Sequence, residues 1–460
     1  MTLAPNTEQL AAIGESGVVF VSAGAGTGKT TVLVERFARA VIDRGVPADS
    51  LLVITYTERA AGELRARIRG RFSELDRHDL ALEVDRAWIS TIHGFCSRVL
   101  RAHPFEAGLD PRFRVLDDNQ ARILRSEAFD EALAAFCRGR EEERLRLLAT
   151  YGARDLKRML GSVFERLRSA GRKLALAAEP GADLEGALDE LREQAAGVIA
   201  NGEGGRTAEL LSELLDGQPR VDDLLDLSEL TDTRDDGSVA LIDAASRVEN
   251  AALELIAARD RTLLEVLLAD FDARYRTLKG RESAVDFEDL QLITRELLQR
   301  DQPVREALAW RFRSIMVDEF QDTNRLQCEL IDLIAGDELF FVGDEFQSIY
   351  RFRHADVEVF RERRAQSGGV LALTQNYRSR PEVLGVVNHI FRSEFGEDFA
   401  PLTAAGRFPD PAFGPAVEVL VTDRSAYRAR DESWRRAEAE SVAARVAGLD
   451  VSTQADALRE

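Results

Sequence analysis

The sequence predicts an α/β protein built on a parallel sheet, interrupted by a large helical insertion and followed by part of a second α/β lobe. Short apolar runs that break into polar turns recur at residues 18–21, 51–57, 88–96, 314–324 and 339–353, as expected of buried parallel strands that end at ligand sites. A glycine-rich stretch, SAGAGTGKTT at 22–31, joins the first run to a helical pattern. From about 116 to 280 the periodicity is helical, broken only near Pro180, Gly204 and Pro219, which reads as an inserted subdomain.

Composition sets bounds on the chain. Its 460 residues, 45% of them hydrophobic, suffice for two or three domains, each with its own core. There is no apolar run of about 18 residues, and the start MTLAPNTEQL lacks the regions of a signal peptide, so a cytoplasmic protein without a membrane partner is expected. Cys96, Cys137 and Cys328 form no CxxC pair, which argues for buried reduced thiols over a disulfide framework or a zinc site. A net charge of −20 by itself opposes a nucleic-acid partner. The charges segregate, however: Arg59, Arg65, Arg67, Arg69 and Arg71 lie close together, while acids concentrate between about 183 and 236. The basic run reads equally as a binding surface or a solvated helix face.

Taken in order, Gln9 precedes the first strand and could offer a donor and an acceptor to an adenine edge. In the turn, Ser22, Ala23, Gly24, Ala25, Gly26, Thr27 and Gly28 lead to Lys29, Thr30 and Thr31. Backbone N–H groups of such a turn converge on phosphate oxygens, with Lys29 reaching the outer phosphates and Thr30 on Mg²⁺. This is a Walker A loop with Ala23 where the strict pattern has glycine. Leu33, Phe37, Ala40 and Val41 then repeat at helical spacing until Gly45 and Pro47 stop the helix.

The run LLVITYT makes a buried strand with Tyr56 at its carboxyl end, and WISTIHGFC makes a third, with Thr91 and His93 at the strand-to-helix junction. No nucleophile with a carboxylate partner accompanies His93, so it is not read as catalytic. Within the helical block, Lys157, Arg158, Arg166, Arg168, Arg172 and Lys173 suggest an exposed charged helix before a nucleic-acid surface.

After VDFEDLQLI, the run SIMVDEFQDTN places Asp318 and Glu319 behind an apolar strand. In this Walker B arrangement the aspartate holds Mg²⁺ and the glutamate polarises the attacking water. In LFFVGDEFQSIYRFR, Gln347 could sense a terminal phosphate, and Tyr350, Phe352 and Arg353 could stack on single-stranded bases or belong to a helix core. VLALTQNYRSRPEVL then opens the second lobe, with Tyr377 and Arg378 at a strand end, where an arginine can stabilise a γ-phosphate in the transition state. A strand in AVEVLV near Val417 and a helix from about 431 to 446 follow.

These motifs, in this order, resemble the superfamily 1 helicases of the UvrD, Rep and PcrA type. SAGAGTGKT, STIHGFC, RFRVLDD and GDEFQSIYRFR look closest to AddA and RecB, the helicase subunits of double-strand-break repair. The resemblance covers nearly the whole chain. It implies an ATP- and Mg²⁺-dependent 3′–5′ helicase acting on single-stranded DNA and on single-strand/duplex junctions. A partner subunit of the AddB or RecC kind is also implied.

By resemblance, Gln9 reads adenine and residues 24–31 bind phosphate. Tyr377 stacks on adenine, Arg378 is a γ-phosphate finger, and Gln347 senses the nucleotide. Thr55, Tyr56 and Thr57, then Thr91, Ile92 and His93, then Tyr350, Phe352 and Arg353, fall on DNA-contacting positions. The implied domains are a RecA-like core 1A from 1–115 with 281–366, a helical 1B subdomain at 116–280, and a partial core 2A at 367–460. The family's later motifs do not appear before Glu460, so the chain is expected to be a fragment of a longer protein or a truncated gene product. An ATP- and DNA-binding module without motor activity and a P-loop kinase or small-molecule ATPase are the rival expectations.

Overall fold

The computed structural model describes residues 4–448 apart from 140, 177–182, 201–204, 217–218, 226, 228–235, 350–356, 368, 397–398, 407, 409–416 and 422–430. The chain divides into two compact units, Met1–Gly108 with Leu290–Glu460, and Leu109–Asp289.

Strands of the first unit form as the apolar runs require. β1 (Val18–Ala23), β2 (Leu51–Thr55) and β3 (Trp88–Thr91) come before the second unit, which contributes the short parallel pair β4 (Arg114–Val115) and β5 (Ala284–Val285). β6 (Ser314–Val317), β7 (Leu339–Gly343) and β8 (Val370–Leu373) complete a six-stranded sheet in the order β3-β2-β6-β7-β1-β8. Every pairing in it is parallel. This is the RecA-like α/β core that the sequence predicts. Pairing of Ser22 with Gly343, of Thr55 with Thr91 and of Ile54 with Val317 brings the carboxyl ends of five strands, and the polar turns that follow them, to one sheet edge.

Strand side chains alternate between two buried faces. Val19 and Val21 pack with Phe37, Phe72, Ile68 and Met316 on one side. Phe20, fully buried, points to the other and meets Phe320 and Phe360 edge-on, with ring centroids 5.9 and 4.8 Å away. Helix Lys29–Ile42 buries Leu33, Phe37, Ala40 and Val41, the four positions at which its spacing places the apolar stripe.

Two expectations about the C-terminal region are corrected. The sequence predicts that Val370–Leu373 opens a second lobe, but β8 pairs with β1, Phe20 opposite Val370 and Ala23 opposite Leu373, so it is an edge strand of the first sheet. A local apolar run carries no information about which sheet it joins. Beyond it, β9 (Gln375–Asn376) pairs with β10 (Thr403–Ala404), and helices Pro381–Phe395 and Asp431–Ala447 follow. Residues 417–421 form no strand where AVEVLV predicts one, and Val419 and Val421 are more than 80% exposed, leaving the run without a sheet to bury it.

Among its described residues the second unit is mainly helical, with β4 and β5 as its strands. Helices Asp118–Arg138, Ala153–Ser169 and Asp236–Arg281 pack Phe129, Phe164, Phe271 and Tyr275 into one core. Arg168 departs from the expected exposed face. It is buried, donating to both carboxylate oxygens of Asp286 at 2.8 and 2.9 Å and to Asp289 at 2.6 Å, and Lys279 and the Tyr275 hydroxyl reach the same Asp286. Arg168 continues the stripe Leu156, Leu160, Phe164 at four-residue steps, so its position faces the core. Cys96 and Cys328 are buried free thiols, and Cys137 is a half-buried one. No helix among the described residues is long and apolar enough to cross a membrane.

Candidate nucleotide and nucleic-acid site

The glycine-rich turn leaves β1 and enters helix Lys29–Ile42. Gly26 and Gly28 have φ of +72° and +88°, a left-handed conformation that side chains disfavour. A Cβ at Gly28 would also lie 2.5 Å from Gln9 Nε2, and one at Gly26 would lie 2.6 Å from Arg378 Cβ. Ala23 has no positive φ and ends β1 fully buried, which is why alanine serves where the strict motif has glycine. The Thr27 hydroxyl closes the turn on Gly24 O at 2.8 Å. Helix N–H groups free of intrahelical partners then face the turn, with the positive end of the helix dipole. Lys29 sits at the first helical position, and Thr30 and Thr31 are half-buried beside it.

Across the turn stands the end of β6. Lys29 Nζ lies 2.6 Å from Glu319 Oε2, an ion pair between the two Walker motifs. Asp318 Oδ1 accepts the Glu319 N–H at 3.0 Å, and Gln321 Nε2 donates to Glu319 Oε2 at 2.9 Å. Glu319 itself has φ +49°, an uncommon conformation for a side-chain-bearing residue and one found at functional turns.

Burial and the neighbouring Glu319 push the Asp318 carboxyl up to about 6. Burial would raise Glu319 too, but Lys29, the Gln321 hydrogen bond and Arg378 together hold it below the usual carboxylate range. Asp322, buried near Glu319, is pushed up to about 7. A desolvated carboxylate beside a second one fits a magnesium site shared with nucleotide phosphates. Such a site needs no protein cage, and no group of three or more His, Cys, Asp or Glu converges as one among the described residues.

The segment after β8 closes on the turn from the other side. Tyr377 N donates to Gly26 O at 2.9 Å, Asn376 Nδ2 donates to Ala25 O, and Asn376 Oδ1 accepts the N–H groups of Arg378 and Ser379. Glu8 accepts from the backbone and hydroxyl of Thr374, and Asn6 donates to the Tyr377 hydroxyl at 2.8 Å. Gln9 is buried, its Nε2 donating to Thr27 O at 2.9 Å and its Oε1 accepting from Asn6 N in a capping box. Tyr377, Arg378 and Gln9 are thus brought to the phosphate turn as the motifs suggest. Glu8 and Asn376, which hold them there, carry no spacing signal of their own. Gln347 donates to Asp344 Oδ2 at 2.5 Å.

The candidate DNA-contacting residues divide. Thr55, Tyr56, Thr91, Ile92 and His93 line a cleft of about 50 Å³ whose wall also includes Asp318, Glu319 and Asp322. Thr57 caps helix Glu58–Glu74 through Ala60 N, and Thr91 caps helix Ile92–Ala102 through Gly94 N while donating to Glu58 at 2.7 Å. His93 Nε2 lies 2.9 Å from Gln291 Nε2. Tyr350, Phe352 and Arg353 lie outside the described residues. Of the basic run, Arg59 pairs with Glu63, Arg69 with Asp85, and Arg71 with Glu35, so part of its charge is spent within the chain.

A parallel sheet with a glycine-rich phosphate turn after one strand and paired carboxylates after another defines a P-loop nucleotide-binding protein. Residues 5–367 match the model of the UvrD/REP helicase N-terminal domain, and the chain belongs to that family. It is 31% identical to an ATP-dependent helicase/nuclease subunit from Pelotomaculum thermopropionicum, over 91% of this chain and 42% of the relative. The corresponding protein from Desulforudis audaxviator is 31% identical over 87% and 41%, and that from Alkaliphilus metalliredigens 29% identical over 91% and 42%. The chain spans about two fifths of the length of these relatives.

Proposed function

We propose that the chain is the ATP-hydrolysing part of a cytoplasmic motor that moves 3′ to 5′ along single-stranded DNA and separates the duplex ahead, in repair or recombination. One observation carries this reading. The residues assigned to hydrolysis, Lys29, Asp318 and Glu319, meet at the sheet edge where Thr55, Tyr56, Thr91 and His93 surround the same carboxylates.

In this reading the N–H groups of residues 24–31 hold the phosphates, with Lys29 on the outer ones. Mg²⁺, when bound at Asp318 and Thr30, neutralises charge on the phosphate oxygens. Engaging Lys29 with phosphate releases Glu319 from its ion pair, and Glu319 then takes a proton from the attacking water. Arg378 stabilises charge on the terminal phosphate, Gln347 senses that phosphate, and Gln9 and Tyr377 bind the base. Thr55 to Thr57, Thr91 to His93, Tyr350, Phe352 and Arg353 contact the strand. The helical unit serves as the 1B subdomain, and a second core starts after β8. The names of the relatives describe one subunit of a larger enzyme, which supports a partner subunit of the AddB or RecC kind.

The test is ATP hydrolysis by the full-length protein with and without single-stranded DNA. Stimulation by DNA that Glu319→Gln removes is expected. Hydrolysis that ignores DNA and responds to a metabolite would replace this reading with a small-molecule ATPase.

A further inference from the structure

The helical unit contains a cleft of about 410 Å³, lined by no residue assigned to nucleotide or DNA. It lies between helices Asp118–Arg138 and Ala153–Ser169. Residues three or four apart on one helix share a face, so Arg122, Ser126 and Phe129 form one wall and Lys157, Gly161 and Phe164 the other. Phe129, Phe164 and Phe271 line it at 2% exposure or less, and Ile123, 61% exposed, completes the apolar lining. Two features keep the cleft open and charged. A Cβ at Gly161 would meet no atom within 4 Å, so packing does not demand glycine in this helix interior, where it is unfavourable relative to alanine. Arg122 donates to Asn119 Oδ1 at 3.3 Å and has no carboxylate partner among the described residues. Arg125 and Lys157 pair with Glu165 and Asp130, but those carboxylates are 48% and 62% exposed, and exposed pairs are weak enough to exchange.

We propose that this cleft binds the carboxyl terminus of a partner protein, one that ends in an apolar residue preceded by acidic ones. The terminal carboxylate takes two donors of the planar Arg122 guanidinium. The last side chain enters the apolar cleft, and the acids before it lie along Arg125 and Lys157. A chain end carries a carboxylate and a side chain on one Cα, which matches the adjacent Arg122 and Ile123 of the lining. Nucleic acid fits less well. The three phenylalanine rings are too deeply buried to offer a face to a base, and the acids between about 183 and 236 belong to the same unit and repel a polyanion.

The experiment measures, by fluorescence anisotropy, binding of short labelled peptides ending in Glu-Glu-Leu or Glu-Glu-Phe to the full-length protein, for wild type, Gly161→Leu and Arg122→Glu. Gly161→Leu fills the cleft from an unobstructed position and Arg122→Glu reverses an exposed charge, so both keep the fold, which the melting temperature checks. Wild type is expected to bind, and each variant, or amidation of the peptide's end, to weaken binding by about tenfold. Affinity for oligo-deoxythymidine is expected to stay within about twofold of wild type in both variants. No binding by wild type, or variants and amidated peptides that bind as wild type and free acid do, overturns the proposal. Variants that weaken oligo-deoxythymidine binding and leave the peptide unaffected make the cleft a nucleic-acid site and overturn it as well.

Discussion

Lys29 and Glu319, 290 residues apart in the chain, share an ion pair of 2.6 Å in which Lys29 is 10% exposed. In the proposed reading, a lysine so placed holds the glutamate until phosphate competes for it. Lys29→Ala is therefore expected to abolish ATP hydrolysis, and a rate near that of wild type would contradict the assignment. Asp322 offers a pH test. Burial and the charge of Glu319, opposed by Lys29, raise its carboxyl from 3.8 to about 7. Between those values the folded chain keeps a proton that the unfolded chain releases, so stability present at low pH is lost as pH rises through this window. Asp322→Asn removes that dependence. Its melting temperature relative to wild type is expected to increase between about pH 4 and pH 7, and a constant difference would contradict the shift. Lys29, Asp318 and Glu319 could be picked out as candidates because their motifs are local, and the structure brings them together. The Gln321 contacts could not be, because its amide accepts the Asp344 N–H after β7, and its neighbours in sequence say nothing of that approach.

At the scale of elements, the phosphate turn is gripped from two directions. Gln9 of helix Thr7–Gly14 holds Thr27 O, and Asn376 holds Ala25 O while ordering the Tyr377–Arg378 turn. Asn376→Ala leaves that carbonyl and two N–H groups without their partner. ATP affinity, read by titration of a fluorescent analogue, is expected to weaken by about tenfold; unchanged affinity would mean that the clamp does not shape the turn. In the helical unit, Arg168 is the hub of a buried cluster with Asp286, Asp289, Lys279 and Tyr275. Arg168→Ala leaves Lys279 to balance the two carboxylates of Asp286 and Asp289, and urea unfolding should record a loss of about 3 kcal/mol. A change under about 1 kcal/mol would place Arg168 among exposed ion pairs. Periodicity revealed the helix but not this burial, because arginine counted as polar even though its four-residue step from Phe164 put it on the apolar stripe.

For the molecule as a whole, the sheet order explains why Gln9, Lys29, Asp318, Glu319 and Arg378, scattered along the sequence, come to one sheet edge. Residues 109–289 make a separate, mainly helical unit, and the strands on either side of it in sequence still close into one parallel sheet. The runs and turns made the α/β class legible. The order β3-β2-β6-β7-β1-β8 was not, and the membership of β8 in the first sheet could only come from its pairing with β1. The glycine-rich turn, the carboxylates and Thr55, Tyr56, Thr91 and His93 share one edge, which gives the account its central claim, that hydrolysis and single-strand binding are coupled. The most direct test is the ATPase rate of the full-length protein titrated with single-stranded DNA, with Glu319→Gln alongside. The account predicts a saturable rise in rate for wild type and none for Glu319→Gln, and a wild-type rate indifferent to DNA would contradict it.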